Sequence, residues 1–155
     1  MKKSIIESQE ARRSAPHTGV ANEFSFALYG AANRMMQLHK PFLKPLGLTF
    51  SQYLVMLELF AGMPRTVGDL GARLSMETGT ITPILKRLET SGKATRIRDV
   101  KDERRVLVNL TSAGESLRAE VLAVSEQIKS ACKLDEKGAI FLKNTLNDLA
   151  LPATQ

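Results

Sequence analysis

The stretch from Glu77 to Thr111, ETGTITPILKRLETSGKATRIRDVKDERRVLVNLT, constrains the chain most, because a short helix, a glycine turn and a charged β-hairpin follow one another in it. Pro83 has no amide proton and is comfortable only in the first turn of a helix, where no intrahelical acceptor is expected. With Glu77 and Thr78 supplying N-cap chemistry, the helix is expected to begin near Thr78 and run to Ser91. Ile84, Leu85 and Leu88 recur at helical spacing and face inward, which leaves Thr80, Thr82, Lys86, Arg87 and Thr90 as a polar surface. Hydroxyls and free amides at a helix N-terminus suit base edges and phosphates in a DNA major groove, and Lys86 and Arg87 are placed to neutralise phosphate further along. Alone, the same pattern also describes an ordinary solvated helix face.

The hairpin tips the balance. Thr95 to Arg98 and Arg105 to Leu110 are β-rich runs, with Ile97 set against Val106 and Val108, and they flank the loop Asp99-Val100-Lys101-Asp102-Glu103-Arg104. Arg96, Arg98, Lys101, Arg104 and Arg105 outnumber Asp99, Asp102 and Glu103 here. An exposed loop tip carrying Arg104 fits a narrow minor groove, where phosphate potential concentrates. Asp102 either holds that arginine or caps the turn; as a bare surface ion pair it is worth only about 0 to 1 kcal/mol. The expected fold is mainly α with a small β-hairpin wing, a winged helix-turn-helix. Its candidate double-stranded DNA contacts are Thr78, Thr80, Thr82, Pro83, Lys86, Arg87, Arg96, Asp102, Arg104 and Arg105.

On these residues the chain resembles the multiple antibiotic resistance regulator (MarR) family. The strings FALYGA, PLGLTFSQYLVML, GTITPILKRLE and KDERRVLVNLT resemble its organic-hydroperoxide-sensing (OhrR) subgroup, from about Phe24 to Gly114. The wing pattern Asp102-x-Arg104, followed by the run Leu110 to Gly114, is specific in combination. The resemblance implies a homodimeric repressor on a pseudo-palindromic operator.

The remainder of the chain fits that frame. Its 155 residues allow one domain with a real core. The net charge of +6 and pI near 9.7 suit a nucleic-acid binder. Neither a long apolar run nor a signal-peptide pattern is present, so a cytoplasmic protein with no membrane partner is expected. Residues 1–19 read as a mobile arm or a frayed helix extension. Residues 20–48 hold a first long helix, with Phe24, Ala27, Leu28, Ala31, Met35, Leu38 and Phe42 on one face; Pro41 and Pro45 kink or end it, and Gly47 marks the exit.

The DNA-binding region spans 49–111. Thr49 or Ser51 caps a helix to Ala61 with Tyr53, Leu54, Met56, Leu57 and Phe60 mostly inward. After a connection at Gly62 to Arg65, Thr66 caps a brief helix from Val67 to Leu74. After the wing, Thr111 and Ser112 both offer caps, and in 112–155 Ser112 and Glu115 stand in capping-box register. Leu117, Val121, Val124 and Ile128 form one stripe, and Leu134, Ile140, Phe141, Leu146 and Leu149 a second. Either stripe taken singly suits an intrachain core. Together with the first helix they suit a dimerisation bundle that matches half-sites about 34 to 36 Å apart.

The resemblance also frames the question of sensing. The subgroup's reactive cysteine precedes F-A-L-Y and is supported by two tyrosines; the matching positions here are Ser25, His39 and Phe50. An alcohol cannot form a thiolate, so peroxide chemistry at Ser25 is expected to be absent. Cys132, the single cysteine, lies where some members carry a resolving cysteine. It excludes an intrachain disulfide and a cysteine-built zinc site, and reads either as a redox candidate or as a small buried apolar residue. Other family members release DNA when lipophilic or phenolic anions bind. A pocket for such an effector is expected from Ser25, Tyr29, His39, Phe50 and Tyr53, with His39 able as imidazolium to hold a carboxylate. The leading reading is an effector-responsive regulator. The alternatives are a redox-responsive regulator using Cys132 and a DNA-binding regulator with no effector of its own. Neither His17 nor His39 has local metal-ligand neighbours, and the chain has no nucleophile motif or phosphate loop, so no enzyme, metal or cofactor is expected.

Overall fold

The computed structural model describes residues 19–20 and 23–149, and the chain divides between Gln37 and Leu38 into two compact units. The expected arm lies, apart from Gly19, outside the described residues. Helix α1 (Phe24–Leu43) crosses the division and carries Pro41 in its last turn without breaking there. A 3-10 turn (Lys44–Leu46) with Pro45 then ends at Gly47, whose φ of 62° is the left-handed conformation that glycine adopts without steric cost. Both exit signals in the sequence are therefore used.

Thr49 caps α2 (Phe50–Ala61), and Gln52 returns the bond to the Thr49 amide at 2.8 Å, a complete capping box. Val55, Met56 and Leu59 are its fully buried residues, while Leu54, Leu57 and Phe60 are only half-buried, so the inward face is rotated from the one expected. Thr66 and Asp69 close a second capping box on α3 (Val67–Leu74), which buries Leu70. Helix α4 (Thr78–Thr90) buries Ile81, Ile84, Leu85 and Leu88.

Two expectations about α4 need correction. Pro83 lies inside the helix, beyond its first turn, so the Gly79 carbonyl lacks the donor that residue i+4 normally supplies. Gly79 and Pro83 are both exposed, and water can serve that carbonyl. Glu77 occupies the N-cap position but makes no side-chain cap bond.

Strands β1 (Arg65–Thr66), β2 (Ala94–Arg98) and β3 (Val106–Leu110) form an antiparallel sheet in the order β1-β3-β2. Arg96 stands opposite Val108, and Ile97 opposite Leu107. Because neighbouring residues alternate faces, Ile97 points away from Val106 and Val108 and is 57% exposed, contrary to the expected packing. Of the two caps expected after the wing, Thr111 is the one used on α5 (Ser112–Ser116), accepting from the Gly114 amide at 3.0 Å, and Glu115 pairs with Arg118. The expected Ser112–Glu115 box is therefore not formed. Helix α6 (Arg118–Ala131) buries Val121, Val124 and Ile128 against the core. Helix α7 (Glu136–Asn147), capped by Asp135, buries none of its residues, and Phe141 on it is 73% exposed.

Candidate nucleic-acid interface

The N-terminus of α4 follows an extended Glu77, and the absence of a capping side chain leaves its first amides open to an incoming acceptor. Thr78, Thr80, Thr82, Pro83, Lys86 and Arg87 are all exposed, while the apolar side of the same helix is locked into the core. Register on the surface is thus set by burial beneath it.

The wing tip is ordered by its own backbone. The Asp99 amide donates to the Arg105 carbonyl at 2.9 Å, and the Arg105 amide to the Asp102 carbonyl at 2.9 Å. Asp99 Oδ1 accepts from the Lys101 amide at 2.9 Å. Asp102 Oδ1 accepts from both the Arg104 amide at 3.1 Å and the Arg104 Nε at 3.2 Å, so Asp102 caps the turn and holds the arginine at once. The Arg104 side chain is nevertheless 92% exposed. Holding the guanidinium in the open reduces the conformational freedom it must lose on meeting a ligand.

Thr78, Thr82, Arg96, Arg104 and Arg105 line one groove of about 440 Å³ with Thr66, Val67, Gly68 and Val106. Thr80, Pro83, Lys86, Arg87 and Asp102 do not line it; the first four continue the exposed face of α4, and Asp102 braces the tip. Sequence reasoning missed the contribution of Thr66 to Gly68, since Thr66 was legible as a cap but its position beside α4 depends on tertiary packing. Asp69 stands near the groove with its carboxyl held below the usual range, chiefly by its side-chain and backbone hydrogen bonds to Thr66 and further by Arg105 and Arg65. Arg104, Arg105 and the starts of two helices make the groove a place for anions. Arg96 within it is gripped by Glu89, through Nε at 2.9 Å and Nη2 at 2.6 Å.

Of the expected pocket residues, the structure brings three together. His39 is buried, with its ring 4.7 Å from that of Phe50 at 70° and 5.6 Å from that of Tyr53. Burial also raises the Tyr53 phenol above its ordinary pKa. Ser25 and Tyr29 belong to the unit before Leu38 and are exposed. Cys132 is half-buried at the C-cap of α6, more open than the small core residue considered above. Among the described residues no cluster of His, Cys, Asp or Glu is arranged to hold a metal, and no helix is long and apolar enough to cross a membrane.

Residues 37–121 match the family described as transcriptional regulator SarA/Rot. The chain is 35% identical over 133 residues to the organic hydroperoxide resistance transcriptional regulator of Bacillus subtilis strain 168, covering 86% of this chain and 90% of that protein. The chain belongs to the MarR family of winged helix-turn-helix transcriptional regulators. This MarR-family chain is also 31% identical over 126 residues to the HTH-type transcriptional regulator SarZ of Staphylococcus saprophyticus, covering 81% of it and 86% of SarZ. Among solved structures, reduced AbfR bound to DNA matches with a TM-score of 0.67 and 36% identity, over 85% of this chain and 96% of AbfR. Within the family, Ser25 departs from the hydroperoxide sensors at the position the resemblance assigns to their reactive cysteine, and Cys132 is the one cysteine of the sequence.

Proposed function

We propose that the chain is a homodimeric, sequence-specific repressor that occupies a pseudo-palindromic operator in the cytoplasm and leaves it when a small aromatic or lipophilic effector binds. The observation that carries the DNA reading is the convergence of Thr78 and Thr82 from α4 with Arg104 and Arg105 from the wing on one groove. Helix hydroxyls serve base edges in the major groove, and the exposed Arg104 serves the adjacent minor groove. AbfR, of similar fold and 36% identical, is seen on DNA.

Dimerisation through the regions 20–48 and 112–155 is supported by exposed apolar side chains that the chain's own core leaves uncovered, among them Phe24 and Leu28 on α1 and Ile140, Phe141 and Leu146 on α7. Two copies related by a two-fold axis present two reading heads to two half-sites. Effector binding is supported by the His39, Phe50 and Tyr53 cluster, an imidazole set among aromatic faces beside the start of the DNA-binding region. Aromatic carboxylates suit it, their rings packing against the aromatic faces of Phe50 and Tyr53.

The test is a titration of the reduced protein on a duplex that it selects from a randomised pool, repeated with a panel of aromatic carboxylates and with an organic hydroperoxide at matched salt. Release by a carboxylate, weakened in His39→Ala, is expected. Release by hydroperoxide alone, lost in Cys132→Ser, would transfer sensing to Cys132. Release by neither would leave a regulator without an effector of its own.

A further inference from the structure

Glu89 stands in the last turn of α4, at the negative end of the helix dipole and beside a groove suited to phosphate, where a carboxylate is unfavourable on both counts. Its partner explains its presence. Arg96, in the middle of β2, turns both Nε and Nη2 onto Glu89 Oε2, at 2.9 and 2.6 Å. The pair ties the end of the recognition helix to the wing across a turn in which Gly92 takes a φ of 71° and the Lys93 amide closes on the Leu88 carbonyl at 2.9 Å. Opposite Arg96 on β3 is Val108, fully buried, so the stem of the arginine rises from the anchored face of the sheet.

We infer that Arg96 is a positioning residue for DNA recognition, holding the wing at a fixed angle to α4 through Glu89, and that it is not a phosphate ligand. The inference rests on the DNA reading above. Two elements that enter neighbouring grooves lose affinity whenever their relative angle wanders, because that freedom must be surrendered on binding. A two-donor grip on one carboxylate oxygen restricts that angle; a lysine, with one ammonium on a flexible stem, restricts it less.

The consequence runs against simple electrostatics. A phosphate ligand held by Glu89 would be released by removing the carboxylate, so Glu89→Gln would leave DNA affinity unchanged or raise it. A positioning pair gives the reverse: Glu89→Gln weakens binding although it removes a negative charge next to DNA. The Arg96 side chain is 25% exposed and that of Glu89 37%, so the expected loss is modest, on the order of fivefold.

The experiment measures affinity for a selected duplex against salt concentration for the wild type, Glu89→Gln, Arg96→Met and Arg96→Lys, with thermal unfolding to confirm that each variant is folded. Expected are weaker binding in all three variants and a dependence of log K on log salt that keeps the wild-type slope. A slope reduced by about 0.9 in Arg96→Met, as loss of one phosphate contact produces, would overturn the inference. So would Glu89→Gln binding as well as or better than wild type. Should Arg96→Met fail to fold, the isosteric Glu89→Gln decides alone. A wild-type protein that selects no duplex and shows no salt-dependent binding overturns the DNA reading instead, and this inference with it.

Discussion

Gly114 provides the sharpest stability prediction. A Cβ built on it would lie 2.0 Å from the Lys93 carbonyl oxygen, 3.0 Å from the carbon of that carbonyl and 3.2 Å from Leu110 Cδ2. Close carbon–oxygen contacts in proteins are about 3.3 Å, so Lys93 and α5 must separate by roughly 1.3 Å to admit Gly114→Ala. Neither side moves easily. The Lys93 oxygen accepts the Thr111 amide at 3.1 Å, and the Lys93 amide is bound to the Leu88 carbonyl at 2.9 Å. Overpacking of this kind costs about 1 to 3 kcal/mol, and loss of the Lys93–Thr111 bond adds about 1 kcal/mol. Alanine is a better helix former than glycine by about 1 kcal/mol, and Gly114 lies within α5, so propensity opposes the steric cost without cancelling it. The net loss is about 1 to 3 kcal/mol, or roughly 6 °C in Tm for a chain of this length. Thermal and urea unfolding of Gly114→Ala measure it, with Gly79→Ala as the control, since a Cβ there meets nothing within 4 Å. Equal stability of Gly114→Ala and wild type would refute the argument that this glycine is required by the approach of α5 to the base of the wing.

Three further outcomes follow from the same structure. Arg104→Ala should weaken binding most on operators with A·T-rich flanks and lower the salt slope by about 0.9, read by titration at several salt concentrations. Asp69→Asn should destabilise the protein at neutral pH and flatten its acid unfolding: the Thr66 bonds hold this carboxyl below its ordinary value of 3.8, so its contribution is present above that value and is lost as pH falls through the lower folded one. Phe141→Glu places a charge on the exposed face of α7 and should shift sedimentation toward the monomer while the thermal transition is retained, because no residue of that helix belongs to the buried core.

The helix and hairpin of residues 78–110 are legible because their local signals agree. The Ile84, Leu85 and Leu88 spacing, the glycine turn and the two β-rich runs each specify the same short helix and hairpin, and α4 ends one residue from its expected limit. What escaped depends on distant partners. Strand β1 is only Arg65 and Thr66, and it exists because those residues pair with Val108 and Leu107 on the returning wing. Apolar character alone places Ile97 with Val106 and Val108, whereas the register pairs it with Leu107. A missing amide is harmless at the first turn, where the sequence alone places Pro83; an exposed helix face tolerates the loss further in. Of the candidate site, the sequence displays the hydroxyls and cations but not which of the cations a neighbouring carboxylate holds. Arg96 looked like any other wing cation until its distance to Glu89 separated it from Arg104.

The central claim is that α4 and the wing read DNA as a two-fold pair, and selection of bound duplexes from a randomised pool tests it most directly. The account predicts enrichment of an inverted repeat whose half-sites are about one helical turn apart, with enrichment lost when Thr82 and Arg104 are both replaced by alanine. A pool that remains random, or a wild-type preference that survives the double replacement, would contradict it.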